Sequence, residues 1–179
     1  MFCFNFRVII MLMNIYVLRI LTGKEEQFLK LAEPLGLNLF FPKRELTLTR
    51  GGKRQSVEQP LFPGYVFLEC DEVNAGMCND IREIPYFCRF LKDNSLIIPL
   101  PENERRIIFE LTKYGRTIRK SFVIFNENDK IEVTDGPLKG LEGLIIKVDR
   151  RKKRAKVMLT MYENAFPIDF GYELMDKKQ

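Results

Sequence analysis

Asn128-Asp129-Lys130-Ile131-Glu132-Val133-Thr134 runs straight into Asp135-Gly136-Pro137-Leu138-Lys139-Gly140-Leu141-Glu142-Gly143, and that junction decides how the chain is read. Ile131 and Val133 alternate with polar neighbours, the pattern of a strand with one buried face. The eight residues Gly136–Gly143 then hold one proline and three glycines, so the backbone must take bends that β-carbons resist. Leu144-Ile145-Ile146-Lys147-Val148-Asp149 follows, and strict alternation puts Leu144, Ile146 and Val148 on one face, Ile145 and Lys147 on the other. Arg150-Arg151-Lys152-Lys153-Arg154 forms a cationic tip, beyond which Val157 and Leu159 alternate again. The stretch reads as strand, glycine-shaped loop, strand, basic hairpin, strand: a small β-barrel.

This order resembles the KOW module, an SH3-like all-β barrel, with Asp135-Gly136-Pro137, Gly140 and Gly143 as the specific part of the match. Upstream lies Leu61-Phe62-Pro63-Gly64-Tyr65-Val66-Phe67, in which large rings flank a Pro-Gly bend at the entry to a strand. Taken alone it has two readings. One is a core turn feeding a strand. The other is an exposed aromatic patch for a protein partner, because aromatic anchors dominate interface energetics. The order of the two motifs favours the second: a Phe-Pro-Gly-Tyr strand, a helix and a C-terminal KOW module resemble the layout of the NusG family, from about Asn14 to Met175.

Bulk properties narrow the function classes. The net charge is +5, and residues 116–179 carry 14 Lys/Arg against 10 Asp/Glu. Seven basic side chains fall between Lys147 and Lys156, a run that is either a solvated tip or a phosphate-contacting surface. Histidine is absent, which removes Ser-His-Asp and Cys-His catalysis and histidine metal sites. Cys3, Cys70, Cys78 and Cys88 show no ligand spacing, so they read as reduced thiols of a cytoplasmic protein. No carboxylate dyad or P-loop is legible. The expectation is therefore a protein without catalytic residues, metal or cofactor. Residues 1–12 are apolar with one charge, too short to span a membrane and lacking a signal-peptide pattern. They read as an upstream start codon preceding Met11 or Met13, or else as a loosely held apolar tail.

Between these landmarks strands and helices alternate. Ile15–Ile20 reads as a strand with Tyr16, Leu18 and Ile20 on one face. Thr22 and Glu25 have capping-box spacing, ahead of Phe28, Leu31, Ala32 and Leu35 at helical period. Leu39–Thr49 and Gln55–Glu69 supply strand material around an Arg50–Arg54 tip. Asp71 is placed to cap a helix carrying Val73, Met77 and Ile81, and Tyr86–Leu91 and Leu96–Leu100 read as short strands. Pro101 opens a last helix presenting Ile107, Leu111 and Tyr114. The βαββαβ order predicts a ferredoxin-like α+β domain of NGN type, an antiparallel sheet with helices, over 13–115. A linker over 116–125, whose apolar Phe122–Phe125 end lies next to the barrel, leads to the KOW domain at 126–179.

The resemblance implies a function. In the NusG family the N-terminal domain docks on RNA polymerase, on the clamp helices of the largest subunit, through Tyr16, Phe62, Pro63, Gly64 and Tyr65 in this chain. The KOW domain reaches RNA, a ribosomal protein or the termination factor, here with Lys147, Arg150, Arg151, Lys152, Lys153 and Arg154 for nucleic acid and Tyr162 and Phe166 for an accessory protein. A monomer without a membrane partner is implied. Three features depart from the family pattern: Ile15 stands where a tryptophan commonly precedes the first-strand tyrosine, Glu83-Ile84 precedes Pro85 where members that pause polymerase carry a polar pair, and Tyr162–Pro167 replaces a Phe-Gly-Arg turn of the general elongation factor. The last of these, with the Arg150–Arg154 cluster, resembles the LoaP branch of specialised antitermination paralogues, which implies recognition of a leader-RNA hairpin. The alternatives are a general NusG-type factor bridging to ribosome or Rho, a ribosome-associated KOW protein, and an RNA-processing enzyme on a ferredoxin-like domain.

Overall fold

The computed structural model describes residues 13–92, 96–128 and 130–175; the apolar run at 1–12 lies outside them. The chain divides into two compact units, one running up to Phe41 and resuming over Phe62–Phe109, the other made of Pro42–Leu61 and everything from Glu110 onward.

The first unit is built on β1 (Asn14–Ile20), followed by α1 (Glu25–Ala32) and the short β2 (Leu39–Phe40). The hairpin of β3 (Lys43–Arg50) and β4 (Lys53–Pro60) intervenes before β5 (Tyr65–Cys70), α2 (Ala75–Glu83) and β6 (Phe87–Phe90). The sheet order is β2-β5-β1-β6, with all neighbours antiparallel, which is the ferredoxin-like arrangement. Side chains alternate across β1. Tyr16, Leu18 and Ile20 join Val66, Leu68, Phe28, Ala32 and Ile81 in one core. Val17 faces Phe67 across the register on the opposite side, where the Phe40 and Phe67 rings stack at 5.4 Å. Both faces are buried, which is why β1 reads as a nearly unbroken apolar run.

Four local expectations are corrected. Thr22 does not cap α1: the N-cap is Lys24, without a side-chain bond, and the Glu25 carboxylate points elsewhere. Leu31 and Leu35 of the expected apolar face are exposed, whereas Phe28, Ala32 and the unpredicted Leu29 pack against the sheet. Asp71 is not the cap of α2; Asn74 is, its side chain accepting from Met77 N at 2.9 Å, so the helix starts later and Val73 precedes it. Leu96–Leu100 forms no strand, although Leu100 N still bonds to Ile15 O. The last helix, α3 (Glu102–Thr112), does follow Pro101, and it buries Ile108 and Leu111 while Tyr114 beyond its end stays exposed.

In the second unit β7 (Thr117–Ile118) pairs with β3. The barrel strands are β8 (Ser121–Phe125), β9 (Ile131–Asp135), β10 (Ile145–Asp149), β11 (Arg154–Met161) and β12 (Asn164–Leu174), in the order β10-β11-β12-β8-β9. Much of 116–125 is therefore strand rather than linker, because Val123 is fully buried and β8 is paired on both edges. The β3–β4 hairpin, expected within 13–115, keeps company with the barrel. Arg44 donates to the Asp169 carbonyl at 2.8 Å, and Lys120 lies 3.4 Å from Glu45. Asp135-Gly136-Pro137 turns tightly against β8. Gly136 has φ +101°, and a Cβ there would come within 2.8 Å of Ser121 Cα, so only glycine fits. The buried Ser121 hydroxyl accepts from Leu138 N at 3.0 Å. The alternation expected over Leu144–Val148 fails at a bulge. Ile145 pairs with Val157 and Val148 with Ala155, both toward the core, while Ile146 is extruded and exposed.

Candidate functional site

The Pro63-Gly64 bend is held by two charged side chains that sequence reasoning did not place. Gly64 takes φ +80°, and its N–H donates to Glu25 Oε1 at 2.6 Å. The Glu25 carboxylate is 4% exposed, so it serves as an internal brace instead of completing a capping box. Arg19 reaches across the sheet from β1: its guanidinium donates to Pro63 O at 2.9 Å and lies 4.6 Å from the Tyr65 ring centroid. Arg19 and Tyr65 are directly paired in the register, so the stacking follows from strand pairing itself. The signal in the sequence was a single arginine in an otherwise apolar strand.

The expected docking residues are not brought together at the surface. Phe62 is 2% exposed, its ring tilted against Phe67 at 5.9 Å, so it supports the bend from beneath. Tyr16 is 4% exposed and pairs with Leu68 in the helix-side core, on the face opposite Tyr65. Burial raises the pKa of its phenol. Strand alternation forces this: Tyr16 and Arg19 are an odd number of residues apart. What reaches solvent is Pro63, which is exposed, and Tyr65, which is half-buried.

The basic tip also divides. Lys147, Arg150, Arg151 and Lys152 are exposed and Lys153 half-buried. Arg150 lies 4.0 Å over the Phe125 ring. Arg154 points inward, 3.7 Å from Asp169 Oδ2 and donating to Thr47 O at 3.4 Å, while Lys156 sits 2.8 Å from Asp169 Oδ1. Arg154 thus fastens the tip to the hairpin. Its neighbour Arg44 has its pKa lowered by burial, with Arg154 adding to the effect against Asp169. Between the tip and the hairpin runs a groove of about 810 Å³, lined by Thr47, Thr49, Arg54, Lys120, Arg151 and Lys153 among others.

The expected accessory residues occupy the β11–β12 turn. Tyr162 and Glu163 are its two central residues, with φ of 47° and 69°, the left-handed pair of a tight hairpin carried here without glycine. Tyr162 is buried and Phe166 half-buried opposite Leu159. Among the described residues no group of three metal-ligating side chains gathers, and no helix is long and apolar enough to cross a membrane.

Comparison with known proteins gives the family. The family model described as transcription termination factor nusG matches residues 13–109, more than half of the chain, and the KOW motif matches residues 127–158. The chain is 26% identical over 178 residues to the transcription termination/antitermination protein NusG of Thermus thermophilus, covering 90% of this chain and 97% of that one. It is 27% identical over 148 residues to the NusG of Escherichia coli K12, covering 81% and 80%. A solved structure titled "Domain interaction in Thermotoga maritima NusG" superposes with a TM-score of 0.53 at 24% identity, over 89% of this chain and 93% of that one. Fold, motif order and relatives agree, and the chain belongs to the NusG family.

Proposed function

We propose that this protein is a transcription elongation and antitermination factor. Its first unit docks on RNA polymerase, on the clamp helices of the largest subunit, and its barrel contacts nascent RNA or an accessory protein such as a ribosomal protein or the termination factor. The observation that carries the polymerase reading is the braced bend. Glu25 and Arg19 fix Pro63, Gly64 and Tyr65 in one conformation, so a half-exposed ring is presented without further ordering cost. Full burial of a large exposed side chain contributes roughly 1.5–3 kcal/mol, and the part of the Tyr65 ring still in solvent has a share of that to give a partner. Phe62 and Tyr16 belong to the support rather than to the contact.

The exposed Lys147, Arg150, Arg151 and Lys152 support RNA contact, with the antitermination branch resembling LoaP as the finer assignment. Each phosphate neutralised releases counterions, so binding weakens with salt. Capture of RNA polymerase from lysate on the tagged chain tests the docking. Tyr65→Ala should lose the polymerase while keeping native thermal stability; full recovery with Tyr65→Ala would refute the docking face.

A further inference from the structure

We propose that the β3–β4 hairpin is the second wall of a nucleic-acid site, so that the groove between it and the Arg150–Arg154 tip takes the sugar–phosphate backbone of double-helical RNA. This deepens the RNA-binding reading above and rests on it.

The groove has two chemically different walls. On the barrel side stand Arg151, Lys152 and Lys153. On the hairpin side, Thr49 pairs with Arg54 and Thr47 with Ser56, and cross-strand partners share a face, so hydroxyls and one guanidinium look the same way. Of the cations lining the groove, Lys120 is shared by Glu45 and Glu173, and Arg154 is held by Asp169. Among the described residues the side chains of Arg54, Arg151, Lys152 and Lys153 form no ion pair, leaving four uncommitted positive charges divided over facing walls. The lining carries six cations against the single carboxylate of Glu173, which Lys120 engages, and a cleft with such an excess of one sign focuses its field on a polyanion passing between.

The walls are held in place before any ligand arrives. Arg154 bonds to Thr47 O and Arg44 to Asp169 O, and a Cβ on Gly171 would come within 2.8 Å of Glu45 O, so β12 and β3 approach as closely as backbones can. The form of nucleic acid follows from what is missing and what is present. Among the described residues Tyr172 is the one ring lining the groove, and at 1% exposed it gives unpaired bases no aromatic platform. Neutral hydroxyls beside Arg54 suit ribose 2′-OH groups, which DNA lacks.

Fluorescence anisotropy of the full chain tests this with a labelled RNA hairpin, the same stem as duplex DNA, and the unpaired RNA strand, each over a salt series. Arg54→Gln should weaken hairpin binding about 5–10-fold at low salt and flatten the salt slope by about 0.9, the loss of one phosphate contact. Arg151→Gln/Lys152→Gln should lose about twice that slope, and both variants should melt like wild type. If Arg54→Gln binds as wild type while the barrel double variant weakens, the hairpin wall is refuted and barrel binding stands. If wild type binds no RNA, both readings fall. Equal affinity for duplex DNA, or tighter binding of the unpaired strand, overturns the double-helical RNA assignment.

Discussion

The backbone N–H of Gly64 donates to the carboxylate of Glu25 at 2.6 Å, joining the first helix to the Pro-Gly bend across 39 residues of chain. This pair makes the bend a fixed feature. Glu25→Ala strips a buried donor of its partner and should destabilise the protein by about 1–3 kcal/mol in chemical denaturation. Glu25→Gln keeps an acceptor oxygen and should lose less. Equal stability of wild type and Glu25→Ala would show that the brace carries no energy.

Gly64 has a second constraint. A Cβ would meet Arg19 Nη1 at 2.5 Å and Thr22 Oγ1 at 2.6 Å, and the backbone is left-handed at φ +80°. Gly64→Ala should cost about 1–3 kcal/mol and displace Arg19 from the Tyr65 ring. Polymerase capture should fall with it, even below the melting transition. A crystal structure of Gly64→Ala with Arg19 unmoved would contradict this account.

Phe62 and Tyr65 should separate cleanly. Phe62 is buried, so Phe62→Ala should cost about 3–5 kcal/mol and impair everything at once. Tyr65→Ala should leave stability near wild type and remove polymerase capture alone. Urea titrations beside pull-downs distinguish them; a Tyr65→Ala variant as unstable as Phe62→Ala would return the ring to the core.

Glu45 provides a pH signature. The Ser56 hydroxyl donates to its Oε1 at 2.5 Å and, with Lys120 beside it, holds the carboxyl below the usual carboxylate range. A depressed folded pKa stabilises above the unfolded value, about 4.3, and that contribution is lost as pH falls through the folded value. Ser56→Ala should therefore be less stable than wild type at pH 7, with the gap closing on acidification. A gap unchanged from pH 7 to pH 3 would rule out this linkage.

The thiols should differ in reactivity. Burial, helped by Asp71, pushes Cys70 up to about 11, whereas Cys88 is exposed. Iodoacetamide at pH 8 should label Cys88 well ahead of Cys70 in peptide mass spectra, because the thiolate is the nucleophile. Comparable rates would contradict the burial of Cys70.

Much of the fold was legible in local chemistry. Period-2 alternation located β1, β9 and β11, the Pro63-Gly64 bend marked the entry to β5, and Asp135-Gly136-Pro137 marked a turn that only glycine can make against Ser121. Legibility ended where one residue changed the count. The bulge at Ile146 reversed the parity of β10, and Asn74 rather than Asp71 won the cap of α2, since both candidates satisfy the same local rule.

The sequence by itself determined the family, the alternating sheet and the barrel, because periodicity, turn chemistry and motif order are written in neighbouring residues. Only the tertiary structure decided which ring is buried and which reaches solvent, and which cation is held in an ion pair. Phe62 and Tyr65 are equally aromatic, and Arg151 and Arg154 equally charged. Their roles depend on Phe67, Glu25 and Asp169, residues brought to them by strand pairing and packing over distances along the chain that no local pattern spans.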